Sequence, residues 1–287
     1  MLEAKLASKK HSNHRTEIKI TDQISCGGKQ LLIIGGPCSV ESKEQIELSA
    51  SALTAAPIQV LRGGVFKPRT SPYSFQGLGL AGLDLLKDAG DRNGLPVITE
   101  VMAPEQVEDI AAKADMLQIG SRNMQNFDLL KKVGTVQKPV ILKRGLAATI
   151  EETILAAEYI MVHGNPNVII CERGIRSFDP TTRNVLDLGA VVVLKQMTHL
   201  PVVVDPSHAA GKRELIADLS RAAVAVGADG LMIECHPEPE KSVSDARQAL
   251  SLEDMIELVE SLRPVAAAVG RSIARNTISA EIVRVCA

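Results

Sequence analysis

Short apolar runs recur along the chain with almost no internal alternation, at residues 31–36, 59–64, 96–100, 116–120, 139–144, 167–173, 201–205 and 229–234. Each is rich in Val, Ile and Leu. A strand covered on both faces is continuously hydrophobic, whereas a half-exposed one alternates, so these runs predict parallel strands buried on both sides. Between them the apolar spacing turns helical. Ser42 with Gln45 and Thr149 with Glu152 make capping-box patterns ahead of helices reaching about residues 55 and 162. Pro104 stands where a first helical turn begins. Further helices are predicted near 78–93, 123–133, 184–197, 212–226 and 252–268. Eight strands alternating with eight helices predict an α/β fold, a (β/α)8 TIM barrel. A doubly wound open sheet is the competing architecture. It would open on a G-x-G-x-x-G turn, which GGPCSVES at 35–42 matches poorly.

The barrel is expected over residues 29–270. Residues 1–28 form an N-terminal extension, in which Ile18, Ile20 and Ile24 around Thr21 and Asp22 read either as a small hairpin over the lower mouth or as part of a loose tail. Residues 271–287 form a C-terminal tail, read as an extra helix or strand for subunit contact. No linker and no second domain are expected.

Composition narrows the setting. Of 287 residues, 45% are hydrophobic and 23% charged, and a net charge of −2 leaves no basic surplus for nucleic acid or an anionic membrane. Aromatic residues make up 2% with no Trp, so stacking platforms for single-stranded nucleic acid are nearly absent. No apolar run approaches the ~20 residues that span a bilayer. The N-terminus lacks the apolar core of a secretory signal. Five widely spaced cysteines make no disulfide framework. The expected setting is cytoplasmic, with no nucleic-acid or membrane partner.

In a barrel of this type the chemistry gathers at the carboxyl ends of the strands. The polar residues just past each run are Cys38; Arg62, Lys67 and Arg69; Glu100; Arg122; Lys143 and Arg144; Arg173 and Arg176; Asp205 and His208; and Glu234. So many cations on one mouth of a nearly neutral protein would repel one another unless anions occupy it. Arg forks suit phosphate and carboxylate. Cys38, His208, Glu234 and Asp245 form a second set, mixing thiolate, imidazole and carboxylates as a divalent transition metal requires. Each residue alone has a plainer explanation: a buried small hydrophobe for Cys38, a loop hydrogen-bonder for His208, a surface carboxylate for Glu234 or Asp245, half a salt bridge for Arg62 or Lys143. The joint pattern carries the inference. Cys235 and His236 are rival ligands, but strand neighbours point to opposite faces, so at most one of Glu234 and Cys235 faces the site.

These segments resemble a known family. GGPCSVES, LRGGVFKPRTSPYSFQGLG, QIGSRNMQNFDLL, KPVILKRG, ERGIRSFD, TRNVLDL, LPVVVDPSHAAGKR and MIECHPEPEKSVSDARQAL, in order over roughly residues 31–263, resemble the type I-beta class of 3-deoxy-D-arabino-heptulosonate 7-phosphate (DAHP) synthases. The related 3-deoxy-D-manno-octulosonate 8-phosphate (KDO8P) synthases share the barrel but carry a Lys-Ala-Asn-Arg-Ser type of segment. Here Lys67, Pro68, Arg69, Thr70 and Ser71 stand in its place.

The resemblance implies condensation of phosphoenolpyruvate with erythrose 4-phosphate and water, giving DAHP and phosphate, the first step of the shikimate pathway to aromatic amino acids. It implies one divalent metal ion (Mn, Fe, Co or Zn) on Cys38, His208, Glu234 and Asp245. Arg62, Lys67, Arg122, Lys143 and Arg173 resemble the phosphoenolpyruvate clamp, with Lys143, Arg62 and Lys67 the catalytic candidates. Arg69 and Thr70 resemble the cradle of the aldose phosphate, with Asp205 near its hydroxyls. A homo-oligomer, dimer or tetramer, is expected. Cys235 and Ser121 depart from common family residues without removing a functional group. Neither an N-terminal ferredoxin-like module nor a fused chorismate mutase is seen, so feedback through such a module is not expected. A Schiff-base aldolase using Lys143, a KDO8P synthase taking arabinose 5-phosphate, and a non-catalytic phosphate-binding barrel are the alternatives. Because the first and last strands of a closed barrel are neighbours, Cys38 is also a candidate to pair with Cys235 on oxidation.

Overall fold

The structure, a computed structural model, describes residues 3–273. Most of the predicted C-terminal tail, residues 274–287, lies outside the described residues. A two-stranded antiparallel hairpin, β1 (Ile18–Lys19) and β2 (Ser25–Cys26), precedes the barrel. The barrel strands are β3 (Leu32–Gly36), β4 (Val60–Arg62), β5 (Val97–Val101), β6 (Met116–Ile119), β7 (Val140–Lys143), β8 (Val168–Glu172), β9 (Val202–Val204) and β10 (Gly230–Glu234). All eight are parallel and pair in chain order. The barrel closes where β10 pairs with β3, from Gly230 opposite Leu32 to Glu234 opposite Gly36. The TIM barrel predicted from the eight runs is therefore the observed fold, and the open sheet is not.

The helices are α1 (Lys43–Leu53), α2 (Gly79–Arg92), α3 (Val107–Lys113), α4 (Phe127–Gly134), α5 (Ile150–Val162), α6 (Leu188–Met197), α7 (Pro206–Ala210), α8 (Ile216–Ala225), α9 (Leu252–Ser261) and α10 (Arg263–Ala268). Thr149 and Glu152 make the full reciprocal box at α5. At α1, Ser42 caps Gln45 N–H as expected, while the Gln45 side chain reaches the Glu41 N–H instead. Two predicted helices are shorter than their spacing suggested. Residues near 184 join a bridge between Ile175 and Val185, so α6 waits for its cap at Asp187. The run to 268 breaks at Leu262, just before Pro264, whose ring suits the first turn of a new helix rather than the interior of an old one.

Both faces of the strands are buried, which is why the runs do not alternate. Leu31, Ile33, Leu61, Val97, Leu117 and Val140 pack outward against the helices. Leu32, Ile34, Val60, Ile98, Met116, Ile141, Ile169 and Met232 fill the barrel with Ile18 and Cys26 of the hairpin, and Ile20 and Ile24 pack against them. The isoleucine spacing thus makes a hairpin that plugs the amino-terminal mouth. Arg271 pairs with the buried Asp229, and Ser272 bridges Gln30, fastening the start of the tail to the same end. No helix among the described residues is long and apolar enough to cross a membrane.

Candidate active site at the carboxyl ends of the strands

The loop after β3 places the first ligand candidate. Gly36 has φ +138°, and a Cβ there would lie 2.3 Å from the Arg62 carbonyl oxygen, so only glycine lets β3 turn against β4 here. Two residues on, the Cys38 thiol lies 3.1 Å from Asp245 Oδ2 and 3.2 Å from Ser244 Oγ, and Lys67 Nζ donates to its sulfur at 2.9 Å. Glu234 ends β10 facing inward. Its Oε1 accepts from Arg62 Nη1 at 2.9 Å and stands 3.1 Å from His208 Nε2.

His208 is set by the sequence Asp205-Pro206-Ser207-His208. Asp205 caps α7, taking the His208 backbone N–H on Oδ1 at 2.9 Å and the imidazole Nδ1 on Oδ2 at 2.7 Å. With Nδ1 engaged by Asp205, Nε2 is the ring nitrogen turned toward Glu234 and the ligand set. Burial lowers the imidazole, opposed by the pull of Asp205 and Glu234. Burial would raise Glu234 and Asp205, but His208 with Arg62, and His208 with Lys143, hold them low and ionised. Burial and the Glu234 carboxylate push the Cys38 thiol up to about 12. The four donor atoms of Cys38, His208, Glu234 and Asp245 lie within 4.8 Å of one another.

Beside this cluster opens a cleft of about 490 Å³. Arg62, Lys67 and Arg69 line it from β4 and its loop, Arg122 and Lys143 from β6 and β7, and Arg173, Arg176 and Arg183 from β8 and its loop. Glu100 and Asp245 are the carboxylates of that lining. Two guanidinium nitrogens of cleft-lining residues, Arg69 Nη2 and Arg173 Nη1, are buried without a hydrogen-bond partner. Burial, opposed by Asp205, lowers Arg173, as expected of a cation short of counter-charge.

The structure thus brings together Cys38, Arg62, Lys67, Arg69, Thr70, Arg122, Lys143, Arg173, His208, Glu234 and Asp245 around one cluster and cleft. It separates others. Asp205 is fully buried behind the cleft, its carboxylate engaged by His208 and by Lys143 Nζ at 2.6 Å. That corrects its expected place beside substrate hydroxyls. Arg144 points away from its neighbour Lys143 and pairs with Glu172 and Asp187. His236 faces Glu41 rather than the ligand set. Cys235 lies in the outer core with Ile33 and Ile233. The strand alternation that turns Glu234 inward turns Cys235 outward, so the expected pairing with Cys38 does not suit this fold. Cys26, Cys38, Cys171 and Cys235 are free thiols.

Two residues not singled out in the sequence also belong here. Arg183 pairs with Asp245, and Gln248 bonds both Arg183 and Glu234. Arg183 falls in the TRNVLDL segment and Gln248 in the segment after Asp245, but neither closes a strand, the position that marked the other candidates.

The model of the DAHP synthetase I family matches residues 12–269. A phospho-2-dehydro-3-deoxyheptonate aldolase of Thermotoga maritima is 50% identical over 266 residues, covering 93% of this chain and 78% of the relative. A crystal structure of phospho-2-dehydro-3-deoxyheptonate aldolase (DAHP synthase) from Thermotoga maritima superposes with a TM-score of 0.92 at 48% identity, covering 96% of this chain and 80% of that one. A truncated form of the 3-deoxy-D-arabino-heptulosonate 7-phosphate synthase from that organism gives a TM-score of 0.88 at 44% identity, covering 94% of this chain and 99% of that one. A 2-dehydro-3-deoxyphosphooctonate aldolase of Methylobacterium radiotolerans is more distant, at 36% identity over 81% of this chain and 88% of the relative.

Proposed function

The chain belongs to the DAHP synthetase I family, and from that premise we propose a metal-assisted condensation of two phosphorylated substrates in the cleft at the carboxyl ends of the strands. The reaction joins phosphoenolpyruvate, erythrose 4-phosphate and water into DAHP and inorganic phosphate, the first step of the shikimate pathway. The two buried, unpartnered guanidinium nitrogens of Arg69 and Arg173 carry this reading, because both belong to side chains lining the cleft and an anion there would complete them.

Arg122, Lys143 and Arg173, with Arg62 and Lys67 behind them, hold the carboxylate and phosphate of phosphoenolpyruvate. Arg69 and Thr70 hold the distal phosphate of the aldose. Held so, the enol C3 faces the aldehyde carbon. The new C–C bond forms there, water adds at C2, and the C2–O bond breaks so that phosphate leaves with its bridging oxygen. The cation-rich wall stabilises charge that shifts during this change without having to reorganise. Lys143 Nζ, fixed by Asp205, is placed at the cleft to take part in proton transfer. Asp205 acts through Lys143 and His208.

The ligand set fits a divalent cation: an imidazole whose Nδ1 is engaged by Asp205 and whose Nε2 turns toward the set, two carboxylates held low and one thiol, converging within 4.8 Å. Bound there, the ion supplies Lewis acidity to the aldehyde oxygen. Free thiols support a cytoplasmic setting. The exposed Phe127–Tyr159 pair, ring centroids 4.6 Å apart, supports a homo-oligomer.

The test is phosphate release from phosphoenolpyruvate with each aldose phosphate. Turnover with erythrose 4-phosphate, lost to a chelator and restored by Mn or Co, is expected. A preference for arabinose 5-phosphate would move the protein to the KDO8P reaction, and full activity in chelator would remove the metal.

A further inference from the structure

Behind the ligand set, two side chains form an unbroken link between its carboxylates. Gln248 is buried, and its Nε2 donates to Glu234 Oε2. Its Oε1 accepts from Arg183 Nη1 at 3.0 Å, and the same nitrogen donates to Asp245 Oδ1 at 3.0 Å. On each carboxylate one oxygen is taken by this link and the other faces the set. Glu234 Oε1 lies 3.1 Å from His208 Nε2, and Asp245 Oδ2 lies 3.1 Å from Cys38 Sγ.

The backbone agrees with that division. Among the described residues Asp245 alone, glycines aside, has a positive φ, +58°. Left-handed backbone is disfavoured for a residue with a Cβ and persists where neighbours fix it. Here the Gln248 N–H donates to the Asp245 carbonyl at 3.0 Å while Arg183 grips its carboxylate. A neutral amide suits position 248 because it donates to one partner and accepts from the other at once. A carboxylate there would repel Glu234, and an apolar side chain would release Glu234 Oε2.

We propose that Arg183 and Gln248 are positioning residues of the metal centre, holding Glu234 and Asp245 each with a single oxygen turned inward. The inference rests on the metal reading of the site given above. Ligand orientation of this kind is worth roughly 10- to 100-fold in metal affinity where it has been removed.

The test uses the full chain, freed of metal and titrated with cobalt(II), for the wild type and for Gln248→Leu, Arg183→Ala and Arg183→Lys. Absorption reports the geometry, and competition with a chromophoric chelator reports affinity. The wild type should show a thiolate-to-cobalt charge-transfer band from Cys38 together with visible ligand-field bands. In Gln248→Leu the charge-transfer band should persist, while the visible bands change as Glu234 Oε2 is released and affinity falls about 10- to 100-fold. Arg183→Ala should weaken affinity too, and Arg183→Lys should recover part of it. Because Arg183 is partly exposed at the rim, its variants serve if Gln248→Leu does not fold. Unchanged affinity and visible bands in Gln248→Leu and Arg183→Ala would overturn the clamp. A wild type without the charge-transfer band would overturn the metal centre, and the clamp with it.

Discussion

At the amino ends of the strands, Ile18 and Cys26 close the barrel against Leu32, Val60, Ile98 and Met232, and the charges beside them are paired, Asp229 with Lys195 and Arg271. At the carboxyl ends of the same strands, Arg62, Lys143 and Arg173 stand over a cleft with the ionised Glu234 and Asp205 buried beside them. The first arrangement gains from apolar burial and dense packing. The second carries the desolvation of several charges and leaves two guanidinium nitrogens open. One sheet thus divides its labour along its length. The plugged mouth stabilises the fold, and the open mouth keeps charges that make sense only with ligands in place.

The widest separation of the two ends should come from paired variants. Arg122→Ala, at the rim of the cleft, should lower turnover by about 100- to 1000-fold, the scale of a lost transition-state stabiliser, while the melting temperature stays within a few degrees. Ile18→Ala should do the opposite, costing about 2–5 kcal/mol of stability with kcat/KM of the folded fraction unchanged. Kinetics and thermal melts on both variants check this, and a joint loss in either one would erase the division.

Within the open mouth, the two anion sites should separate next. Arg69→Ala should raise the KM for erythrose 4-phosphate by about 30-fold or more, the cost of one charge-assisted phosphate contact, and change that for phosphoenolpyruvate far less. Arg173→Ala should show the reverse bias. Equal changes for both substrates in Arg69→Ala would undo the assignment of its loop.

The smallest effect concerns acid stability. Burial would raise Asp205, but His208 and Lys143 hold it well below the usual carboxylate range in the folded chain. Its contribution is therefore present above the unfolded value near 3.9 and is lost as pH falls through the folded value. Melts taken from about pH 5 down to about pH 2 should fall steeply for the wild type below the unfolded carboxylate value and less steeply for Asp205→Asn. Parallel slopes would mean that the pairing does not matter to stability.

The division between the two mouths was unevenly legible in the sequence. The strands announced themselves because burial on both faces makes a run continuous, whereas Ile18, Ile20 and Ile24 around a polar turn fitted a hairpin or a loose tail equally. The ligand types were visible because each of Cys38, His208 and Glu234 closes or follows a strand. Side-chain direction was not. Lys143 and Arg144 are neighbours with opposite partners, and Glu234 and Cys235 likewise, so a shift of one residue exchanges cleft for outer core. Gln248 was invisible for a different reason. It carries no charge, lies in a loop without periodicity, and gains its meaning only when the chain brings Arg183 and Glu234 to it from distant segments.

Anomalous diffraction from crystals grown with manganese and phosphoenolpyruvate tests the central claim most directly. A single manganese peak within bonding reach of Cys38, His208, Glu234 and Asp245 is expected, with the phosphate and carboxylate of phosphoenolpyruvate on Arg122, Lys143 and Arg173. Manganese elsewhere, or phosphoenolpyruvate bound away from the guanidinium wall, would contradict it.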